Sequence, residues 1–181
     1  TSYGGRVGLA SIVPLWVHDG RLIYETQAYA RPPSVTAFAP GYLRVQATLT
    51  PQLAVQGEYW SINSHTIGVQ FTISNAHTQP AHVHLDLFGH LGAQGKEQER
   101  SLIPLNEDTH ALQLGKAGNL HPVVLMEGGT AELVDSQAVS PKIGQDFTLA
   151  GRKKAVVRWV HAGLPDVRQS LAQAQHWLKQ D

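Results

Sequence analysis

The sequence predicts an all-β fold, a large antiparallel sandwich closed by one C-terminal helix. Three observations carry that expectation. Ile67, Val69, Phe71 and Ile73 alternate with Gly68, Gln70, Thr72 and Ser74, a period of two that a half-buried strand explains. Short apolar runs recur along the chain between Gly, Pro, Asn and Asp clusters, with no helical pattern between them. Only at the end does the period change, where Val167, Leu171, Ala174 and Leu178 fall on one stripe at helical spacing.

Taken in order, Val7 to His18, Asp19-Gly20 and Arg21 to Tyr29 read as two strands joined by a tight hairpin. Arg31-Pro32-Pro33-Ser34 breaks the pattern. Tyr42 to Thr50 resumes it, with Leu43, Val45, Ala47 and Leu49 on one face. The alternating strand at Ile67 to Ile73 ends at Asn75. Beyond the turn to Pro80, Val83, Leu85 and Leu87 alternate with His82, His84 and Asp86, which predicts the antiparallel hairpin partner of that strand. Further strands are expected at Ser101–Leu105, Ala111–Leu114, Pro122–Met126, Ala131–Val134, Phe147–Leu149 and Ala155–His161, roughly ten to twelve in all. Pro165 suits the first turn of the closing helix and Asp166 complements its positive end.

The totals exclude several classes of function. At 181 residues the chain is long enough for one well-formed core, and 17 glycines with 10 prolines leave it well below the roughly 25–30% that marks low-complexity chains. Lys plus Arg and Asp plus Glu balance at 14 each, so no net field draws nucleic acid or an anionic membrane surface. No cysteine is present, which removes disulfides, thiolate catalysis and sulfur-based zinc sites. No apolar run approaches the roughly 20 residues that span a bilayer as a helix. The chain opens on Thr1 rather than Met, and its last periodic segment runs into Asp181. We therefore expect a piece of a longer protein, or a start left by a removed signal peptide. A cytoplasmic location is the first expectation and export the alternative.

Few residues promise chemistry. His82, His84 and Asp86 project from one strand face, with His90 beyond, and imidazole plus carboxylate is a plausible divalent-metal set. Alternate side chains on a strand stand about 6.6 Å apart, so another strand would have to supply a further ligand, and a polar solvated face explains the same pattern. The acids Glu97, Glu99, Glu107 and Asp108 lie in polar stretches that read as loops, which favours solvation over the facing carboxyl pair that a glycosidase needs. No Gly-x-Ser-x-Gly elbow occurs. Gly115 to Asn119 and Gly128-Gly129 read as hairpin turns rather than phosphate loops, and Arg152-Lys153-Lys154 as a solvated turn. Trp16 and Trp159 sit in apolar strands and belong in a core. Trp60, between Tyr59 and Ser61, is the candidate for stacking on a sugar ring.

The order of segments carries a resemblance. Trp60 to Leu91 is followed by Val123-Val124-Leu125, Ser140-Pro141, Phe147-Thr148-Leu149, Ala155-Val156-Val157 and the closing Ala174-Gln175-His176-Trp177-Leu178. This resembles the N-terminal super-sandwich domain of bacterial α/α-toroid glycoside hydrolases, the glucoamylase-like and glycogen-debranching enzymes. The resemblance implies a sandwich domain over 1–164 and a linker helix over 165–181 that leads to a missing C-terminal catalytic domain. It also implies no catalytic residue and no cofactor in this chain, with that catalytic domain and an α-glucan as partners. Val167, Leu171, Ala174, Trp177 and Leu178 would then form an interface with the sandwich or the toroid. An independent carbohydrate-binding module is the first alternative, and a cupin-like metal enzyme using His82, His84 and Asp86 is the second.

Overall fold

Asp19 and Gly20 both take positive φ, 51° and 71°, the left-handed pair that a two-residue hairpin requires. They join β1 (Ala10–His18) to β2 (Arg21–Ile23), with His18 paired to Arg21. The computed structural model describes residues 10–91, 95–96, 100–133 and 141–180. The next strands are β3 (Arg31–Ala39), β4 (Tyr42–Thr50), β5 (Leu53–Asn63), β6 (Thr66–Asn75), β7 (Ala81–Leu91) and β8 (Gly95–Lys96). After them come β9 (Ser101–Pro104), β10 (His110–Gln113), β11 (Lys116–Ala117), β12 (His121–Met126), β13 (Thr130–Glu132), β14 (Lys142–Leu149) and β15 (Lys154–Leu164), then α1 (Val167–Leu178). The expected all-β sandwich with one C-terminal helix is what forms.

The large sheet has eight strands in the order β3-β4-β5-β6-β15-β12-β10-β9, and the small one five, β13-β14-β7-β1-β2. All the pairings are antiparallel. Their apolar faces meet around Phe71, which contacts Trp16 of the opposite sheet edge-on at 5.4 Å between centroids and lies 6.4 Å from Trp159. Trp16 and Trp159 are thus core residues, as expected. Gly57 beside them leaves the room: a Cβ there would stand 3.0 Å from the Phe71 ring.

Four local expectations need correction. The segment after Asp19-Gly20 is extended only to Ile23, and Thr26–Ala28 form a single 3-10 turn. Arg31-Pro32-Pro33-Ser34 begins β3 instead of breaking the pattern. Proline is tolerated there because β3 is an edge strand, where a missing N–H need not cost a ladder bond. Strands β6 and β7 do not form a hairpin: each lies in a different sheet, and 76–80 crosses the gap between them. Asn75 secures that crossing, donating from Nδ2 to the Gln79 carbonyl at 2.8 Å and accepting the His77 N–H at 2.9 Å. Gly128-Gly129 likewise carries the chain from β12 in the large sheet to β13 in the small one.

Helix α1 starts two residues later than the 165 that the sequence suggests. The Asp166 carboxylate accepts from Arg168 N at 2.8 Å and Gln169 N at 3.1 Å, so Asp166 is the N-cap and Pro165 stands before it. The fully buried Ser170 hydroxyl bonds Leu164 N, tying the helix to the end of β15. From there α1 lies along the outer face of the large sheet. Its stripe, Val167, Leu171, Ala174 and Leu178, packs with Trp177 on Ala111, Val123, Leu125, Val160 and Ala162. Strand β12 is therefore covered on both faces, which is why Pro122 to Met126 is uniformly apolar and buried.

Candidate functional site

On the outer face of the large sheet, the part beyond the helix is a polar surface set by strand register. One rung carries Tyr42, Trp60, Gly68 and Val160; the next carries Arg44, Glu58, Gln70 and Arg158. Strand pleat puts these alternate residues on one side, and their inward neighbours Val69, Phe71 and Trp159 fill the core. The Tyr42 hydroxyl donates to Glu58 Oε1, Arg44 Nη2 reaches the same oxygen at 3.3 Å, and Gln56 Nε2 donates to Glu58 Oε2 at 3.2 Å. These donors, Tyr42 foremost, hold the Glu58 carboxyl below its ordinary value. Arg158 pairs with Glu127 at 3.0 Å and donates to the Gln180 carbonyl at 3.4 Å.

Between this rung and the helix lies an open groove of about 270 Å³ lined by Trp60, Ile62, Gly68, Gln70, Arg158 and Trp177 among others. Trp60 is 37% exposed and leans toward Tyr42, 5.9 Å between ring centroids. Trp177 forms part of the other wall from the last turn of α1, and its Nε1 is buried with no hydrogen-bond partner. Gly68 makes the floor. A Cβ at that position would approach Ile62 Cδ1 at 3.1 Å and take space from the groove.

His82, His84 and Asp86 do share one face, the outer side of the small sheet, with His90 exposed further along. There they are engaged by protein groups. His82 Nδ1 lies 2.9 Å from Thr148 Oγ1; His84 sits between Asp146 at 2.9 Å and Asp86 at 3.0 Å. Lys142 takes the second Asp86 oxygen at 3.1 Å. Both His84 contacts are hydrogen bonds only when both ring nitrogens carry protons. Gly144 faces Asp86 closely, since a Cβ there would stand 2.2 Å from Oδ1. These contacts link the imidazole, both carboxyl groups and the Lys142 amine into one network. Among the described residues no group of three or more His, Asp or Glu side chains is placed to hold a metal ion. Glu107 and Asp108 are exposed in the β9–β10 connection, while Glu97 and Glu99 lie outside the described residues.

Sequence reading singled out Trp60 and Trp177 but not Gly68, Arg44, Glu58, Gln70 or Arg158. The available signal was the alternation of Arg44, Gln46, Gln56 and Glu58 with apolar neighbours, which marks an uncovered sheet face. Nothing local showed that α1 would bring Trp177 toward Trp60.

No protein-family model matches the sequence, and no curated protein matches it. Solved structures do. A bacterial glucoamylase complexed with acarbose superposes with a TM-score of 0.64 at 11% identity, over 96% of this chain and 29% of that one. A protein described as a kojibiose phosphorylase, from the human microbiome, gives 0.53 at 10% identity over 92% and 24%. A protein described as an aldose 1-epimerase, from Klebsiella pneumoniae, gives 0.54 at 15% identity over 96% and 70%. At these identities the likeness is one of fold. The chain resembles the N-terminal β-sandwich of carbohydrate-active enzymes and spans about a quarter of the length of the glucoamylase and phosphorylase chains.

Proposed function

We propose that this chain is a non-catalytic sandwich domain of a larger carbohydrate-active enzyme of the glucoamylase or glycogen-debranching type, acting on an α-glucan in the cytoplasm. The catalytic centre then belongs to another domain, and α1 links the two. One observation carries the reading: the likeness takes in almost all of this chain but only about a quarter of the glucoamylase and phosphorylase chains. The acids support it. Asp86 and Asp146 share one imidazole, and Glu58 and Glu127 are each held by an arginine, so these carboxylates are occupied as structural partners. The metal-enzyme alternative draws no support from His84 and Asp86, which bind each other.

The test is hydrolysis. Incubated with maltooligosaccharides, the chain alone is expected to release no reducing ends, whereas a longer form of the protein carrying the catalytic domain releases them. Turnover by the chain alone that vanishes on a single carboxylate substitution, Glu58→Gln being the first to try, would overturn the proposal.

A further inference from the structure

We propose that the groove between Trp60 and Trp177 is a binding subsite for a neutral pyranose sugar. Its choice of ligand class rests on the carbohydrate reading above, while its location rests on four observations made on this chain. A large aromatic on β5 remains 37% exposed on the outer face, between Glu58 and Ile62 of its own strand and beside Tyr42 of β4. A second aromatic enters from α1 and carries a buried Nε1 with no partner. Gly68 keeps the floor between them open. Gln70 and Arg158 place planar polar groups in the same lining.

A pyranose matches that combination. Its ring presents an apolar C–H face that packs on an indole, and an equatorial rim of hydroxyls that needs donors and acceptors in fixed directions. An apolar peptide would cover the indoles but leave the Gln70 amide poorly matched. The volume, about 270 Å³, falls just below the roughly 300 Å³ at which ligand sites begin, and suits a single sugar unit. Charge selects the neutral ligand: Arg158 is paired with Glu127 and Arg44 with Glu58, so neither arginine is left uncompensated to attract a carboxylate sugar.

Isothermal titration calorimetry of the chain with maltotriose, cellotriose and mannotriose, and with polygalacturonate as the anionic contrast, tests the site. Saturable binding of at least one neutral oligosaccharide is expected, and none of the anionic polymer. Trp60→Ala and Gly68→Val should each weaken it by about tenfold or more, because one removes the stacking ring and the other fills the floor. Circular dichroism of both variants checks that they fold. Trp177→Phe keeps an aromatic wall but removes the pyrrole half of the indole with its N–H, so a smaller loss is expected. No saturable heat with any neutral oligosaccharide, or equal affinity in wild type, Trp60→Ala and Gly68→Val, overturns the proposal. So does a longer form of the protein in which a polypeptide segment shields Trp60 from acrylamide and sugar changes nothing. Reducing-end release measured on the same samples reports separately on the domain reading.

Discussion

The outer face of the eight-stranded sheet is two surfaces on one scaffold. Under α1, the outward positions of β12 and β15 are Val123, Leu125, Val160 and Ala162, all at most 4% exposed. Across β4 to β6 the equivalent positions are Arg44, Gln46, Gln56, Glu58, Gln70 and Thr72. The backbone is the same antiparallel ladder throughout, so coverage alone decides the chemistry of the side chains. A strand loses its alternation where something packs on its second face, and keeps it where water does. Val156 and Trp60 depart from that rule, and of the two Trp60 is the large ring beside a groove, which is why it draws a ligand reading rather than a packing one.

The contrast can be broken most severely at Ala174, which is fully buried between helix and sheet. Ala174→Arg puts an unpaired charge into that contact and is expected to cost roughly 4 kcal/mol or more in urea unfolding, with the helix detached. A small loss would show that α1 rests only loosely on the sheet.

The second test concerns the face that both halves share. His161 lies on the inner side of β15, opposite Val124 and Ile67, and burial pushes its ring down to about 4 from 6.5. Above pH 6.5 the group is neutral folded and unfolded, and pH has no effect through it. Between pH 6.5 and 4 the unfolded chain takes up a proton that the folded one refuses, so stability falls as pH falls, by roughly 3 kcal/mol in all. Below that the contribution is constant. Denaturation midpoints measured across this window should flatten in His161→Gln; an unchanged slope would mean that other groups carry the dependence.

Smaller effects sharpen the comparison. Asp166→Ala removes the cap that starts α1 and should lower stability by about 1 kcal/mol at neutral pH, measured by thermal unfolding. On the open half, Gln46→Ala should change it by no more than about 0.5 kcal/mol, since the residue is exposed. If Gln46→Ala costs as much as the cap, the open half is not the free surface described here.

Much of this architecture is legible in the residues themselves. Ile67 to Ile73 announce β6, Asp19-Gly20 the first hairpin, and Val167 to Leu178 the helix with its apolar stripe. What sequence does not disclose is which sheet a strand joins. Val83, Leu85 and Leu87 show the same alternation whether β7 pairs with β6 or faces it across the core, and the five residues 76–80 can serve either geometry. Pro32 and Pro33 mislead for a related reason, because an edge position cannot be told from a break without knowing the neighbours. The candidate site divides in the same way: Trp60 stands out locally, whereas its groove depends on where a helix more than a hundred residues later comes to rest.

Strand β6 sits inside the large sheet, yet one of its two neighbours, β15, is the last of the sheet's strands to be synthesised. While the ribosome makes β7 to β14, the meander β3 to β6 waits with one side of β6 unpaired, a row of backbone donors and acceptors open to any passing strand. The inward residues of the small sheet wait as well, since they need Val157 and Trp159 to complete their packing. Such late, long-range pairing makes for slow folding and long exposure. A message or a protease cut that ends before Lys154 therefore yields an unfinished sheet rather than a smaller sandwich, and the cell meets it as a substrate for chaperones.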